Sequence, residues 1–165
     1  MLALKDVRQS DLEPVWTLNQ AAVPHVGDID LATMARYKSI APYFKLAWWG
    51  EELAGFMIAM PPGVDYQSPN YQWLEQRYTS HYYIDRLAVA PHLHRRGIGR
   101  ALYDDVRRAA RGHTLLTCEV NVIPPNETSM AFHRSLGFEP LGFLDSDEGR
   151  KRVCFLGAPL RVAGP

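Results

Sequence analysis

A chain of 165 residues, 47% hydrophobic and 22% charged, has the length and composition of one globular domain, expected to span residues 1–165, and is too apolar to stay disordered. Its 18 Lys and Arg balance its 18 Asp and Glu, which argues against non-specific nucleic-acid binding, because that requires many uncompensated cations. No run of about 18 apolar residues occurs, which excludes a spanning helix and a membrane partner of that kind.

Residues 2–8 alternate weakly and predict a first strand. Ser10 or Asp11 caps a helix running to about Ala22, with Pro14 tolerated in its first turn, and Pro24 and Gly27 end it. Asp28 or Asp30 caps a second helix carrying Leu31, Met34 and Tyr37, which stops before Pro42. Residues 43–49 and 53–60 read as a hairpin around Gly50. At least one of Trp48 and Trp49 is expected in the core, since successive strand residues face opposite ways. Residues 61–80 are rich in Pro, Gly, Ser and Asn and predict a long loop with a short helix near Tyr71–Arg77. Residues 81–90 form the clearest strand, and a basic turn follows from Pro91 to Arg96. Ile98, Leu102, Val106 and Ala109 make one apolar helical stripe, which Gly112 stops. Residues 114–120 read as a strand, and Asn126 caps a helix ending at Gly137. Residues 138–144 and 152–157 read as a last antiparallel pair.

Two cysteines, Cys118 and Cys154, are too few for a disulfide framework or a zinc site. Both lie in apolar strands and are expected buried and reduced. Met1–Asp6 lacks the basic region and long apolar run of a secretory signal. A cytoplasmic setting is therefore expected.

The start of the third predicted long helix is unusual. Gly97-Ile98-Gly99 opens it with no Ser, Thr, Asp or Asn as cap and no carboxylate in its first turn. His92, His94, Arg95, Arg96 and Arg100 crowd there instead. Cations at a helix N-terminus oppose its dipole, an arrangement that an external anion completes. A phosphate-binding P-loop requires Lys-Ser/Thr after the last Gly, but Arg100-Ala101 follows. A dinucleotide fingerprint requires a third Gly where Leu102 stands, although Glu119 lies where its ribose-binding acid falls.

Leu87-Ala88-Val89, Pro91 and Arg95-Arg96-Gly97-Ile98-Gly99 resemble the acetyl-CoA motif of the GCN5-related N-acetyltransferases, Gln/Arg-x-x-Gly-x-Gly/Ala. Downstream, Asn126 through Leu136-Gly137-Phe138 resembles that family's second signature. The resemblance implies an α+β fold: a mixed, mostly antiparallel seven-stranded sheet with about four helices and a central, splayed parallel strand pair. It implies acetyl-CoA as co-substrate with no metal, and an amine of a small molecule or peptide as acceptor. A homodimer is the assembly it suggests. Leu87, Ala88 and Val89 would pair with the pantetheine arm, and the amides of Arg96, Gly97, Ile98, Gly99 and Arg100 would hold the pyrophosphate, with Arg95 also among the cofactor contacts. Asn121, Asn126 and Ser129 would orient backbone and cofactor. Two positions depart from the pattern. His94 stands where the family has Gln or Arg, and His133 stands where many members carry the Tyr that protonates the departing thiolate.

Acyl transfer to an amine requires a base for the amine and an acid for the thiolate. His133 is the candidate acid, because imidazole titrates near neutral pH. Asp85 and Glu119 are the candidate bases, since a carboxylate inside an apolar strand is costly unless paired or functional. Arg86 beside Asp85 does not settle the matter, because adjacent strand residues point oppositely. His25 and Asp28, between the first two helices, and Tyr83 are the candidate acceptor contacts. Asp30, Tyr66, Tyr71, Trp73 and Tyr78 add acidic and aromatic groups suited to a cationic amine. A non-catalytic acyl-CoA sensor of the same fold is the competing reading.

Overall fold

Residues 1–161 are described by the computed structural model. The domain span expected above includes residues 162–165, which lie outside the described ones.

Local chemistry sets most element boundaries. β1 (Leu2–Asp6) leads into a single 3-10 turn, Gln9–Asp11, where the Asp11 carboxylate accepts from the Arg8 amide at 2.8 Å. α1 (Leu12–Ala21) follows with Pro14 in its first turn. α2 (Leu31–Ile40) is capped by Asp30, whose carboxylate accepts from Thr33 N at 2.8 Å. Met34 and Tyr37 of α2 are buried, whereas Leu31 is exposed. β2 (Tyr43–Trp49) and β3 (Glu52–Met60) form the predicted hairpin, with Gly50 at φ +62°.

The segment 61–80 contains α3 (Pro69–Glu75), capped by Ser68 with Pro69 at its first position. β4 (His81–Val89) and the turn Pro91–Leu93 lead to α4 (Ile98–Ala109). Ile98, Leu102, Tyr103 and Val106 are buried on α4, and the stripe continues at Ala110 rather than the expected Ala109, which is exposed. Four residues after Val106 returns to the same helical face. β5 (Leu115–Ile123), α5 (Glu127–Ser135), β6 (Glu139–Ser146) and β7 (Lys151–Pro159) complete the described chain. Asn126 caps α5 through Ser129 N at 3.3 Å.

The seven strands lie in the order β1-β2-β3-β4-β5-β7-β6. β4 and β5 are parallel, in register over His81–Leu115, Tyr82–Leu116 and Tyr83–Thr117. The connection between them contains α4, as a parallel pair requires. The fold is thus the expected α+β arrangement; α3 brings the helices to five among the described residues.

The chain divides into two compact units. One contains Met1–Met60 and Ile84–Ala109, and the other contains Pro61–Tyr83 and the chain from Ala110 onward. The first unit's core includes Val15, Met34, Leu46, Phe56, Ile58 and Leu102. In the second, Tyr71, Leu74, Tyr83, Leu116, Phe155 and Leu156 are buried. Cys118 and Cys154 are buried, as expected.

The tryptophan expectation is not met. Trp48 and Trp49 are both only half-buried. The register shifts between Ala47 and Trp48, and both rings sit where the hairpin runs out towards its turn.

Candidate functional site

In the first unit, β4 delivers the chain into the basic turn. Arg95 has φ +63° and Gly97 has φ +79°, so two left-handed residues flank Arg96. Left-handed residues of this kind are the backbone form from which anion-binding nests of amides are built. Arg95, Arg96, Gly97 and Arg100 are exposed, while the Ile98 side chain is buried. Ile98 can therefore offer a ligand only its main chain. A Cβ built on Gly97 meets nothing within 4 Å. Its glycine is required by the positive φ and not by lack of space. The Arg96 guanidinium carbon lies 5.5 Å from the Trp49 ring centre.

His94 has a specific local partner. Its Nε2 lies 2.9 Å from the Val89 carbonyl, which only accepts, so Nε2 carries the proton. The side chain thus ties the turn back to the end of β4. Leu87 and Val89 are half-buried, and Ala88 is buried. The Asp85 and Arg86 side chains are 4% and 8% exposed. Both residues are nevertheless half-buried overall, so what solvent reaches at this point of β4 is mainly main chain.

Asp85 and Arg86 form an ion pair, Nε to Oδ2 at 2.8 Å. Adjacency in the sequence left this pairing open, and the structure shows it, the long guanidinium reaching back to the neighbouring carboxylate. Arg86 was considered in the sequence only as a neighbour of Asp85, and its reach to other segments was not foreseen. It also donates to Asn19 Oδ1 at 2.9 Å, to Gly27 O at 3.2 Å and to Tyr37 OH at 3.1 Å. The connection between α1 and α2 is therefore fixed from β4. His25 and Asp28 on that connection are exposed, and Asp28 Oδ1 accepts from Gln20 Nε2 at 2.7 Å.

In the second unit, Glu119 of β5 is half-buried. Its Oε1 accepts from Tyr83 OH at 2.8 Å and from Asn70 Nδ2 at 3.0 Å. Tyr83, expected among the acceptor contacts, is fully buried. Its hydroxyl is directed to Glu119 instead. Of the loop aromatics, Tyr71 is buried with its hydroxyl on Pro61 O at 2.7 Å, and Trp73 stacks on Phe155 at 4.1 Å. Both serve packing. Half-buried Tyr66 lies against Tyr71.

His133 is buried on α5, edge-on to Phe132 and Phe138. Its Nδ1 lies 2.7 Å from the Ser129 carbonyl and 3.3 Å from the Ser129 hydroxyl. The carbonyl fixes the proton on Nδ1 in the neutral ring. Burial pushes the imidazole below its ordinary pKa, against a smaller upward pull from the Ser129 carbonyl. Asn126 and Ser129 thus act locally, one capping α5 and the other orienting His133. Asn121 O accepts from Asn126 N at 3.1 Å.

A second buried histidine was absent from the sequence reading. His81 is fully buried, with Nε2 on Glu75 Oε1 at 2.6 Å and Nδ1 at 3.2 Å from the Thr117 hydroxyl. Burial lowers its pKa, partly opposed by Glu75. A histidine opening an apolar strand was the signal available. Among the described residues, no three His, Cys, Asp or Glu side chains come together to hold a metal, and no helix is long and apolar enough to cross a membrane.

A seven-stranded mixed sheet with parallel β4 and β5, and a glycine- and arginine-bearing turn between β4 and α4, is the fold of acyl-CoA N-acyltransferases. The chain belongs to the acetyltransferase (GNAT) family, whose profile matches residues 7–138. Among solved structures it is similar to the ribosomal-protein-S18-alanine N-acetyltransferase of Escherichia coli, with a TM-score of 0.75, 20% identity, and coverage of 99% of this chain and 97% of that one. Ard1 from Thermoplasma volcanium superimposes with a TM-score of 0.78 at 16% identity, over 97% and 98% of the two chains. Naa20 from Chaetomium thermophilum, solved in complex with a bisubstrate analogue, gives 0.75 at 18% identity, over 96% and 86%. At these identities the likeness is one of fold. No curated protein matches the sequence.

Proposed function

We propose that the protein transfers an acetyl group from acetyl-CoA to a primary amine of a small molecule or peptide, by direct attack with both substrates bound. The observation that carries this reading is the turn Arg95–Arg100. Two left-handed residues, an uncapped helix start and three exposed arginines form a cradle for a pyrophosphate. The family uses acetyl-CoA in general, and a CoA pyrophosphate fits a nest of this charge. Acetyl-CoA supplies the activated acetyl thioester.

This chain's residues do the rest. The amides of Arg96 through Arg100 hold the anion, with Arg95 beside them. The main chain of Leu87–Val89 aligns the donor. Glu119 accepts the proton of the attacking amine, a role Asp85 fits less well because its carboxylate is engaged by Arg86. His133, its Nδ1 proton fixed on Ser129, takes up and delivers a proton at Nε2 to the departing thiolate. His25 and Asp28, on the connection held by Arg86, face the acceptor.

A thermal-shift series with acetyl-CoA, CoA, NAD and ATP tests the donor, and thiol release against pooled amines that include alanyl peptides tests transfer. Stabilisation by CoA and acetyl-CoA alone, lost in Gly99→Glu, is expected. Equal stabilisation by NAD or ATP overturns the donor assignment. CoA binding with no thiol release from any amine favours the sensor reading.

A further inference from the structure

α3 lies in the segment 61–80, outside both sequence signatures, yet it reaches the candidate base. Asn70, its second residue, donates from Nδ2 to Glu119 Oε1 at 3.0 Å, and Tyr83 OH donates to the same oxygen at 2.8 Å. Two donors on one oxygen hold a carboxylate by orientation as well as by charge.

The donor on α3 is held rigidly. Trp73, one turn further along, stacks on Phe155, the β7 partner of Glu119 in the ladder. The ring sits so close to β6 that a Cβ on Gly142 would fall 2.7 Å from it. Tyr71 OH donates to Pro61 O and accepts from Val64 N. Glu75 closes the end of α3, bonding His81 through one oxygen and the Gly63 amide, at 3.0 Å, through the other. This seating leaves Asn70 little freedom to follow a moving carboxylate.

We propose that Asn70 is a positioning residue for Glu119, orienting its carboxylate as the base that receives the amine proton. The proposal rests on the assignment of Glu119 as base. Through this contact the segment 61–80 brings an amide donor to β5.

The ionisable groups on the elements packed around Glu119 within its unit are His81, Tyr82 and Tyr83 of β4, Tyr71 and Glu75 of α3, Glu127, His133 and Arg134 of α5, and Lys151, Arg152 and Cys154 of β7, which opposes it with Phe155. These are common to wild type and to Asn70 variants, so a difference between the two titrations reports the amide.

The experiment follows the Glu119 side-chain carboxyl by 13C NMR in glutamate-labelled protein, with the resonance assigned by its loss in Glu119→Gln. In Asn70→Ala the carboxyl should titrate about one pH unit higher than in wild type, because a donor to the charged form is gone. Asn70→Asp should move it further in the same direction, by adding a like charge. A residue that only stabilises the fold would change the melting temperature without this order of shifts. An unchanged titration in folded Asn70→Ala overturns the proposal, and Asn70→Ser carries the same test should the alanine variant fail to fold. Thiol release by Glu119→Gln judges the underlying reading separately. Wild-type turnover there removes Glu119 as base, whereas lost turnover with an unmoved Asn70→Ala titration removes only the role of Asn70.

Discussion

Gly55 on β3 is where the candidate donor site is most sensitive to one methyl group. A Cβ there would stand 2.8 Å from Ala88 O and 3.4 Å from both Ile98 Cγ2 and Val89 Cγ2. A carbon–oxygen contact settles at about 3.3 Å, by analogy with the closest Cα–H···O approaches, so roughly half an ångström must be absorbed. The obstacle is a main-chain carbonyl, and Ala90 N on the same strand is bonded to Ala54 O at 2.8 Å. β4 cannot yield by a rotamer change; its main chain must move at Ala88–Val89. Overpacking of this kind costs about 1–3 kcal/mol. The loss of glycine's freedom in the unfolded chain returns about 0.4–1 kcal/mol. Gly55→Ala should therefore be less stable by about 1–2 kcal/mol, a fall in Tm of roughly 3–6 °C for a chain of this size. It should also bind acetyl-CoA at least several-fold more weakly, since the displaced segment is the one proposed to align the donor. Calorimetry and a binding titration measure the two. A Tm and an affinity both equal to wild type would refute the argument that β3 packs against β4 without slack.

Gly97→Ala keeps the space but not the φ of +79°, so it should lose about 1 kcal/mol and weaken CoA binding; denaturation and titration check both, and a neutral result would show that the nest tolerates a Cβ. His133→Ala should lower turnover roughly 10²–10⁴-fold while leaving acetyl-CoA affinity nearly intact, and His133→Tyr should recover part of it. Because burial lowers the His133 pKa, the wild-type rate should climb as pH falls below 6.5, and a profile flat there would remove it as the acid. Stability should fall over the same range. His81 and His133 have folded pKa values below their unfolded value, so their contribution is complete above pH 6.5 and is lost as the pH drops towards the folded values. Each ring that stays neutral while its unfolded counterpart charges steepens the decline by about 1.4 kcal/mol per pH unit. Urea midpoints between pH 7.5 and 5.5 read the slope, which His81→Gln should reduce.

Patterns of short range carried most of the architecture. Two apolar runs around Gly50 specified the β2–β3 hairpin, Asp30 and Asn126 marked helix starts by their carboxylate and amide caps, and the spacing Ile98, Leu102, Val106 drew the buried face of α4. The turn before α4 was marked as a candidate as well, because an uncapped helix start with arginines conflicts with the helix dipole unless something external completes it. What alternation could not supply was the course of long side chains. Arg86 folds back onto Asp85 and reaches across to Asn19 and Tyr37, residues 67 and 49 positions away. Trp48 and Trp49 were misplaced because a register shift breaks the period on which their burial was argued.

The candidate base shows the same division. Sequence alone determined that Glu119 interrupts an apolar strand and so must be either paired or functional, a consequence of the cost of burying charge. Only tertiary structure decided its partners, Tyr83 at a separation of 36 residues and Asn70 at 49. Likewise, imidazole chemistry at a position where the resembled pattern has Tyr made His133 a candidate proton donor, but the carbonyl of Ser129 decided its neutral tautomer, and burial against Phe132 and Phe138 its lowered pKa. A residue's type and its local period are written along the chain. Its desolvation and its hydrogen-bond partners depend on segments brought together only when the sheet closes its register, and these set the chemistry of an ionisable group.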